Sequence, residues 1–268
     1  MAEIPGGPVW LAELPRLIQE CVRQWSLELE EPIDTGHSFV AEAGDVFLKI
    51  SLPDEESEHD AEALARWNGR GAARLLARDD ERRAMLVERL RPGTQLWSLP
   101  DEDATDIAAG VLEQLWIPAD EPFRRLEDAA AAWVEFLPAH WESIGRTYER
   151  RLLDQTLDFL REAGPTQHES VLMHQDFHGG NVLLSERGWL AIDPKPMVGE
   201  REFDVASLIR DRRPTNRRTM LRRLDYLVDR LGLDRDRARG WGIAHALAWN
   251  GSGEMVEAAR FLSGSKAL

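Results

Sequence analysis

Apolar residues repeat along the first third of the chain with two different periods. Trp10, Leu11, Leu14, Leu17, Ile18, Cys21, Val22 and Trp25 share one helical face, and Pro15 sits near the start, where a helix tolerates proline. Leu27 and Leu29 then alternate with Glu28 and Glu30, and Asp34-Thr35-Gly36 marks a turn. Residues 38–43 and 46–50 have the alternating pattern of two strands joined by Ala43-Gly44-Asp45. Residues 53–70 open acidic and continue as a helix carrying Ala61, Leu64, Ala65 and Trp67, closed by Gly69 and Gly71. Two more short strands are predicted at 73–77 and 84–90, around the charged turn Asp79-Asp80-Glu81.

Arg91-Pro92-Gly93 is a turn signal between this strand-rich region and a helix-rich remainder. Beyond it, helical spacing covers 104–116, 124–137, 144–163, 204–210, 216–231 and 235–262. Residues 171–173 form a short apolar strand, and 181–184 with 189–192 form a pair around Ser185-Glu186-Arg187-Gly188. The chain therefore reads as α+β, with an N-terminal lobe over residues 1–90 and a C-terminal lobe over residues 91–268. No internal repeat is visible. The arginine-rich stretch 210–223 is interleaved with acids and reads as a solvated helix face.

Composition narrows the possibilities. The 268 residues are 43% hydrophobic and 30% charged, as in a globular protein with a sizeable core. A formal net charge of -15 argues against a nucleic-acid partner and suits a cationic ligand, although solubility alone also explains it. No apolar run has the length of a membrane span, and residues 1–10 lack the pattern of a signal peptide. Cys21 is the single cysteine, so no intramolecular disulfide exists and a cytoplasmic location is expected.

Four features carry chemistry. In His174-x-Asp176-x-x-x-x-Asn181, a carboxylate and a carboxamide share one loop after a short strand, with Gly179-Gly180 between them. This suits an acid that handles a hydroxyl and an amide that reaches a metal. Asp193 ends the apolar strand of the following hairpin and can complete an oxygen-ligated Mg²⁺ site. Lys49 interrupts the apolar run Val46 to Ile50, where an unpaired ammonium is costly. A phosphate and a helix carboxylate, Asp60 or Glu62, can pair it. Asp204 either caps the helix after it or holds the loop backbone from beneath.

Together these residues resemble the aminoglycoside phosphotransferase family, whose fold is related to protein kinases. Segments 64–76, 86–94 and 191–200 resemble its streptomycin 6-phosphotransferase and hydroxyurea phosphotransferase branch. The resemblance implies two kinase-like lobes: a small antiparallel-sheet lobe with helices and a larger, mainly helical one. It implies an ATP-dependent O-phosphotransferase using Mg²⁺, with GTP as a possible donor. Asp176 is then the base, Asn181 and Asp193 the metal ligands, and His174 and Asp204 the support. Lys49 with Asp60 is assigned to the phosphates, where the family usually has Glu in place of Asp60. Ser38 is assigned to the phosphate-covering loop, and the backbone of Glu88 to Leu90 to the adenine. The substrate implied is a small cation such as an aminoglycoside, with Glu200, Glu202, Asp211 and Glu254 as candidate acids; a monomer or homodimer is expected. Another small-molecule kinase (hydroxyurea, a sugar or a sugar amine) and a silent kinase-like binding module are the alternatives. Trp241, Trp249 and Asn250 lie on the last predicted helix, the tryptophans close to one face.

Overall fold

Each change of period in the sequence coincides with a change of element. The computed structural model describes residues 6–33, 35–211, 216–249 and 253–264. Asp34, Asn250 and residues 212–215 of the arginine-rich stretch lie outside the described residues. Contacts group the chain into two compact units, Met1–Thr94 with Leu183–Lys195, and Gln95–Val182 with Pro196–Leu268.

The first unit opens with helix α1 (Gly7–Trp25), followed by β1 (Pro32–Ile33), β2 (Ser38–Ala43), β3 (Val46–Ser51), α2 (Asp60–Trp67), β4 (Leu75–Asp79), β5 (Ala84–Glu88) and β6 (Pro92–Gln95). A five-stranded antiparallel sheet runs in the order β1-β2-β3-β5-β4. Successive side chains on a strand point to opposite faces. Leu48 and Ile50 of β3 therefore join Trp10 and Cys21 of α1, with Leu52, Ala84 and Leu86, in the core, while Lys49 is sent to the other face. As expected, the acidic opening of 53–70 is not helical and the helix is confined to Asp60–Trp67. Asp54 Oδ1 accepts from the N–H (2.7 Å) and hydroxyl (2.8 Å) of Ser57, a local turn that competes with helix until Asp60.

The hairpin β9 (Val182–Ser185) and β10 (Gly188–Ala191) joins β6 in a three-stranded sheet. Leu183, Leu190 and Ile192 pack on Ala73, Val87 and Leu90, and Ala191 exchanges backbone bonds with Gly71 (2.8 Å) and Ala73 (2.9 Å). This segment thus belongs with the N-terminal residues, whereas a single division after Leu90 assigns it to the C-terminal lobe. The cause is burial: the hairpin's apolar side chains cover an apolar patch that residues 73–90 leave open.

The second unit contains α3 (Asp101–Leu115), β7 (Arg124–Arg125), α4 (Leu126–Ser143), α5 (Arg150–Ala163), β8 (Val171–Met173), β11 (Met197–Gly199), α6 (Arg201–Asp204), α7 (Ala206–Ile209), α8 (Arg217–Leu231), α9 (Arg235–Trp249) and α10 (Gly253–Ser263). Its core joins Leu126, Leu137, Leu153, Leu157, Leu160, Met173, Met197, Phe203, Trp241 and Leu247. Strands β7, β11 and β8 form a small sheet beside it. The long helix expected over 235–262 is two helices, α9 and α10. The arginine-rich stretch is not a uniformly solvated face either: Arg223 is buried, with its guanidinium on Asp101 (3.1 and 2.5 Å). Among the described residues no helix is long and apolar enough to cross a membrane.

Candidate active site

In the first unit, β3 presents Lys49 between two carboxylates. Its Nζ lies 2.9 Å from Asp60 Oδ2 and 2.6 Å from Asp193 Oδ1. Burial alone pulls the ammonium's pKa down, but Asp193 and Asp60 outweigh it and hold the group above its ordinary value. Asp60, at the first turn of α2, is further fixed by the Ser51 hydroxyl (3.1 Å). Glu62 instead pairs with Arg66 (3.1 Å) and Arg78 (2.7 Å). The lysine's helix partner is therefore Asp60; β3 and α2 lie close enough for the shorter acid to reach. Asp193 stands at φ 55 just past the end of β10, its side chain 52% exposed.

Two other expected nucleotide contacts lie in this unit. Ser38 is buried at the start of β2, where the Thr35 hydroxyl donates to its carbonyl and lies 3.3 Å from its Oγ. In the segment 88–90, the Glu88 N–H is bonded to Arg74 (3.0 Å) and the Arg89 N–H to Asp45 (2.8 Å). The Glu88 carboxylate is engaged as well, by the Arg74 N–H (2.7 Å) and the Arg187 guanidinium.

In the second unit, the loop after β8 is held from below by Asp204. This buried carboxylate accepts from the N–H groups of Gln175 (2.7 Å) and His174 (3.2 Å) and from Trp116 Nε1 (2.9 Å). Burial pushes its pKa up, opposed by His174 and by these donors. Holding the backbone is its role, rather than helix capping alone. Gln175 adopts φ 62, a conformation costing about 1–2 kcal/mol in a residue with a Cβ. The bonds to Asp204, the Ser207 hydroxyl on the Gln175 carbonyl (3.2 Å) and Arg124 on its side chain (3.0 Å) keep it there.

Asp176 follows, partly buried. Asn181 donates through Nδ2 to the Asp176 carbonyl (3.0 Å), and His178 Nε2 lies 3.8 Å from its carboxylate. Because Asn181 spends its amide nitrogen within the loop, its side-chain oxygen is oriented away from that bond. The carboxamide oxygen of Asn181, in the second unit, and the carboxylate of Asp193, in the first, are each hard oxygen donors of the kind that Mg²⁺ takes.

Gly179 and Gly180 matter for a reason other than backbone freedom. A Cβ on Gly179 would lie 2.5 Å from Trp97, and one on Gly180 2.6 Å from it. The Trp97 indole stacks on His178 (ring centroids 5.2 Å apart) and donates to Asp211 Oδ1 (2.5 Å), whose Oδ2 accepts from the Gly179 N–H (3.0 Å). Asp211 is thus a buried clamp on the loop, with both oxygens occupied, not an acid facing a ligand.

The other candidate substrate acids divide. Glu200 is fully buried and receives Arg237 Nε (2.8 and 3.0 Å) together with the indole N–H of Trp241. Glu202 is buried, with Oε1 on the Asp234 N–H (3.0 Å). Both are corrected to internal positions; Glu254, in the first turn of α10, is exposed. Sequence reasoning missed Arg210. It follows α7, donates to the Ser207 hydroxyl (3.3 Å), and its Nη1 is buried without a hydrogen-bond partner among the described residues. Burial lowers its pKa to about 10, while the Asp176 carboxylate pulls it upward. The guanidinium stays charged within electrostatic range of Asp176. Nothing in the sequence separated it from the neighbouring arginines.

Residues 37–253 match the family model described as aminoglycoside/hydroxyurea antibiotic resistance kinase. The chain is 35% identical over 250 residues to a streptomycin 6-kinase of Streptomyces glaucescens, covering 88% of this chain and 81% of that one. It is 34% identical over 253 residues to a hydroxyurea phosphotransferase of Kitasatospora aureofaciens, covering 90% and 73%. The fold is shared with choline kinase LicA of Streptococcus pneumoniae (TM-score 0.63, 12% identity, 94% of this chain and 99% of that chain). It is also shared with a thermostable mutant of aminoglycoside phosphotransferase APH(4)-Ia in ternary complex with ADP and hygromycin B (TM-score 0.61, 14% identity, 92% and 96%).

Proposed function

We propose a specific reaction for this chain, which belongs to the aminoglycoside/hydroxyurea antibiotic resistance kinase family: ATP-dependent phosphorylation of a hydroxyl on streptomycin. Family membership makes it a phosphotransferase with an alcohol acceptor. The observation that carries the choice of acceptor is the 35% identity, over most of both chains, to streptomycin 6-kinase.

In this reading Asp176 orients the acceptor hydroxyl and takes its proton as the oxygen attacks the terminal phosphorus. Lys49, positioned by Asp60, pairs with the α- and β-phosphates. Asn181 and Asp193 are the residues to hold Mg²⁺, which when bound supplies neutralisation of phosphate charge. Because the N–H groups of Glu88 and Arg89 are spent inside the first unit, the Leu90 N–H is the donor of that segment assigned to the nucleobase. Arg210 places a buried guanidinium within electrostatic range of Asp176. A cationic acceptor calls for exposed acids, and of the four candidates only Glu254 is on the surface.

The test is a panel of streptomycin, other aminoglycosides, hydroxyurea and sugar amines with Mg-ATP, with the phosphorylated atom mapped by phosphorus NMR. Turnover on streptomycin at one ring hydroxyl is expected. Turnover on hydroxyurea alone would move the acceptor to the other named branch. No transfer to any acceptor, together with no Mg-ATP binding by calorimetry, would indicate a silent binding module.

A further inference from the structure

Outside the residues assigned to phosphoryl transfer, one cluster has the chemistry of a metal site. His168, Glu169 and Glu202 each offer a ligand atom, and these atoms lie within 4.8 Å of one another. All three belong to the second unit.

The cluster is more than a group of acids. Glu202 is 2% exposed, and its Oε2 is buried with no hydrogen-bond partner among the described residues. Such an atom is costly to leave unsatisfied. It faces His168 Nε2 at 3.7 Å, close to the roughly 3.3 Å that separates two ligands each about 2 Å from a tetrahedral ion. Its sister oxygen is anchored by the Asp234 N–H (3.0 Å), which fixes the direction of the carboxylate.

The other ring nitrogen supplies a second, independent feature. His168 Nδ1 lies 3.3 Å from Glu200 Oε2, and Glu200 is itself immobilised by Arg237 and Trp241. A metal-binding histidine commonly gives its remote N–H to a carboxylate, which fixes the tautomer and raises the basicity of the ligating nitrogen. With Nδ1 beside this fixed carboxylate, Nε2 is the ring nitrogen that faces Glu202. Glu169 is held in place by Arg201 (2.7 Å), and His168 and Glu169 line a cleft of about 310 Å³ open to solvent. An ion therefore has an entry path. One imidazole and two carboxylates select a first-row divalent ion of the zinc type over Mg²⁺, which prefers oxygen donors alone.

We propose that His168, Glu169 and Glu202 form a zinc-type divalent metal site, separate from the Mg²⁺ ligands assigned above, with Glu200 orienting the histidine. The ion ties the segment before β8 to α6. Strand β8 leads directly into the Asp176 loop, and α6 carries the Asp204 that holds it, so the site braces the loop's support.

The experiment titrates Zn²⁺ into chelator-treated full-length protein by calorimetry in excess Mg²⁺, which saturates the sites preferring that ion. Co²⁺ is used in parallel for its visible d–d bands. One Zn²⁺ per chain is expected, together with Co²⁺ bands of a nitrogen- and oxygen-ligated site. His168→Gln changes a half-exposed side chain, so the fold should survive, as thermal melting will check. It is expected to weaken Zn²⁺ binding by more than the roughly 10–100-fold that losing an outer partner costs, and to abolish the Co²⁺ bands. Asp193→Asn should leave both signals intact. No stoichiometric binding, or equal binding by the wild type and His168→Gln, overturns the site. Loss of the signal in Asp193→Asn with retention in His168→Gln does so too, by assigning the ion to the kinase residues.

Discussion

Lys49 shows how much one side chain's surroundings decide. Strand alternation sends it off the core face, where Asp60 and Asp193 keep it charged despite its burial. A hydrogen bond to a charged group is worth about 1.5–3 kcal/mol, so Asp60→Asn is expected to lower kcat/KM for ATP roughly 10–100-fold. Glu62→Gln, whose ion-pair partners among the described residues are Arg66 and Arg78, should leave it unchanged; steady-state kinetics on both variants separates the two acids. Asp176→Asn should cut turnover by about 10²–10⁴-fold, the usual contribution of a positioned base, with nucleotide affinity nearly unaltered by calorimetry. An active Asp176→Asn variant would remove it from the role of base.

The loop at residues 174–181 is an element whose shape comes from what lies around it. Trp97 packs against Gly179 and Gly180, Asp211 takes the Gly179 N–H, and Asp204 holds the backbone of Gln175. Gly180→Ala would put a methyl 2.6 Å from the indole. Overpacking of this kind costs about 1–3 kcal/mol, and here the loop must move to relieve it. The expected result is a severalfold or greater loss of kcat, partly restored in the Trp97→Leu background. The junction of β11 with α9 makes a second case. Glu200 is buried against Arg237 and Trp241, and breaking a buried pair from one side costs about 3–5 kcal/mol. Glu200→Gln should therefore lower the melting temperature by on the order of 10 °C, measurable by calorimetry or circular dichroism.

At the scale of the whole molecule the dominant property is charge. With a formal net charge of -15, the protein's field attracts cations over distances that salt screens. For a cationic acceptor, kcat/KM should fall roughly three- to tenfold between low and physiological ionic strength, with kcat nearly constant. A neutral acceptor should show no such dependence, so the salt profile is an independent check on substrate class.

Local pattern determined much of this protein. Period changes placed α1, the β2–β3 pair, β8 and the loop at residues 174–181, because helix and strand alternation are written in neighbouring residues. The order of Asp176, Asn181 and Asp193, with Lys49 upstream, carried the family resemblance that implied the reaction class. Tertiary structure decided what depends on distant partners. It chose Asp60 over Glu62, because reach between a strand and a helix is invisible in either one. It moved Glu200, Glu202 and Asp211 from the substrate to the interior, because an acid looks the same in sequence whether an arginine, an indole or water meets it. It also placed residues 183–195 with the N-terminal unit and Arg210 near Asp176, since burial and electrostatic reach are properties of the folded chain.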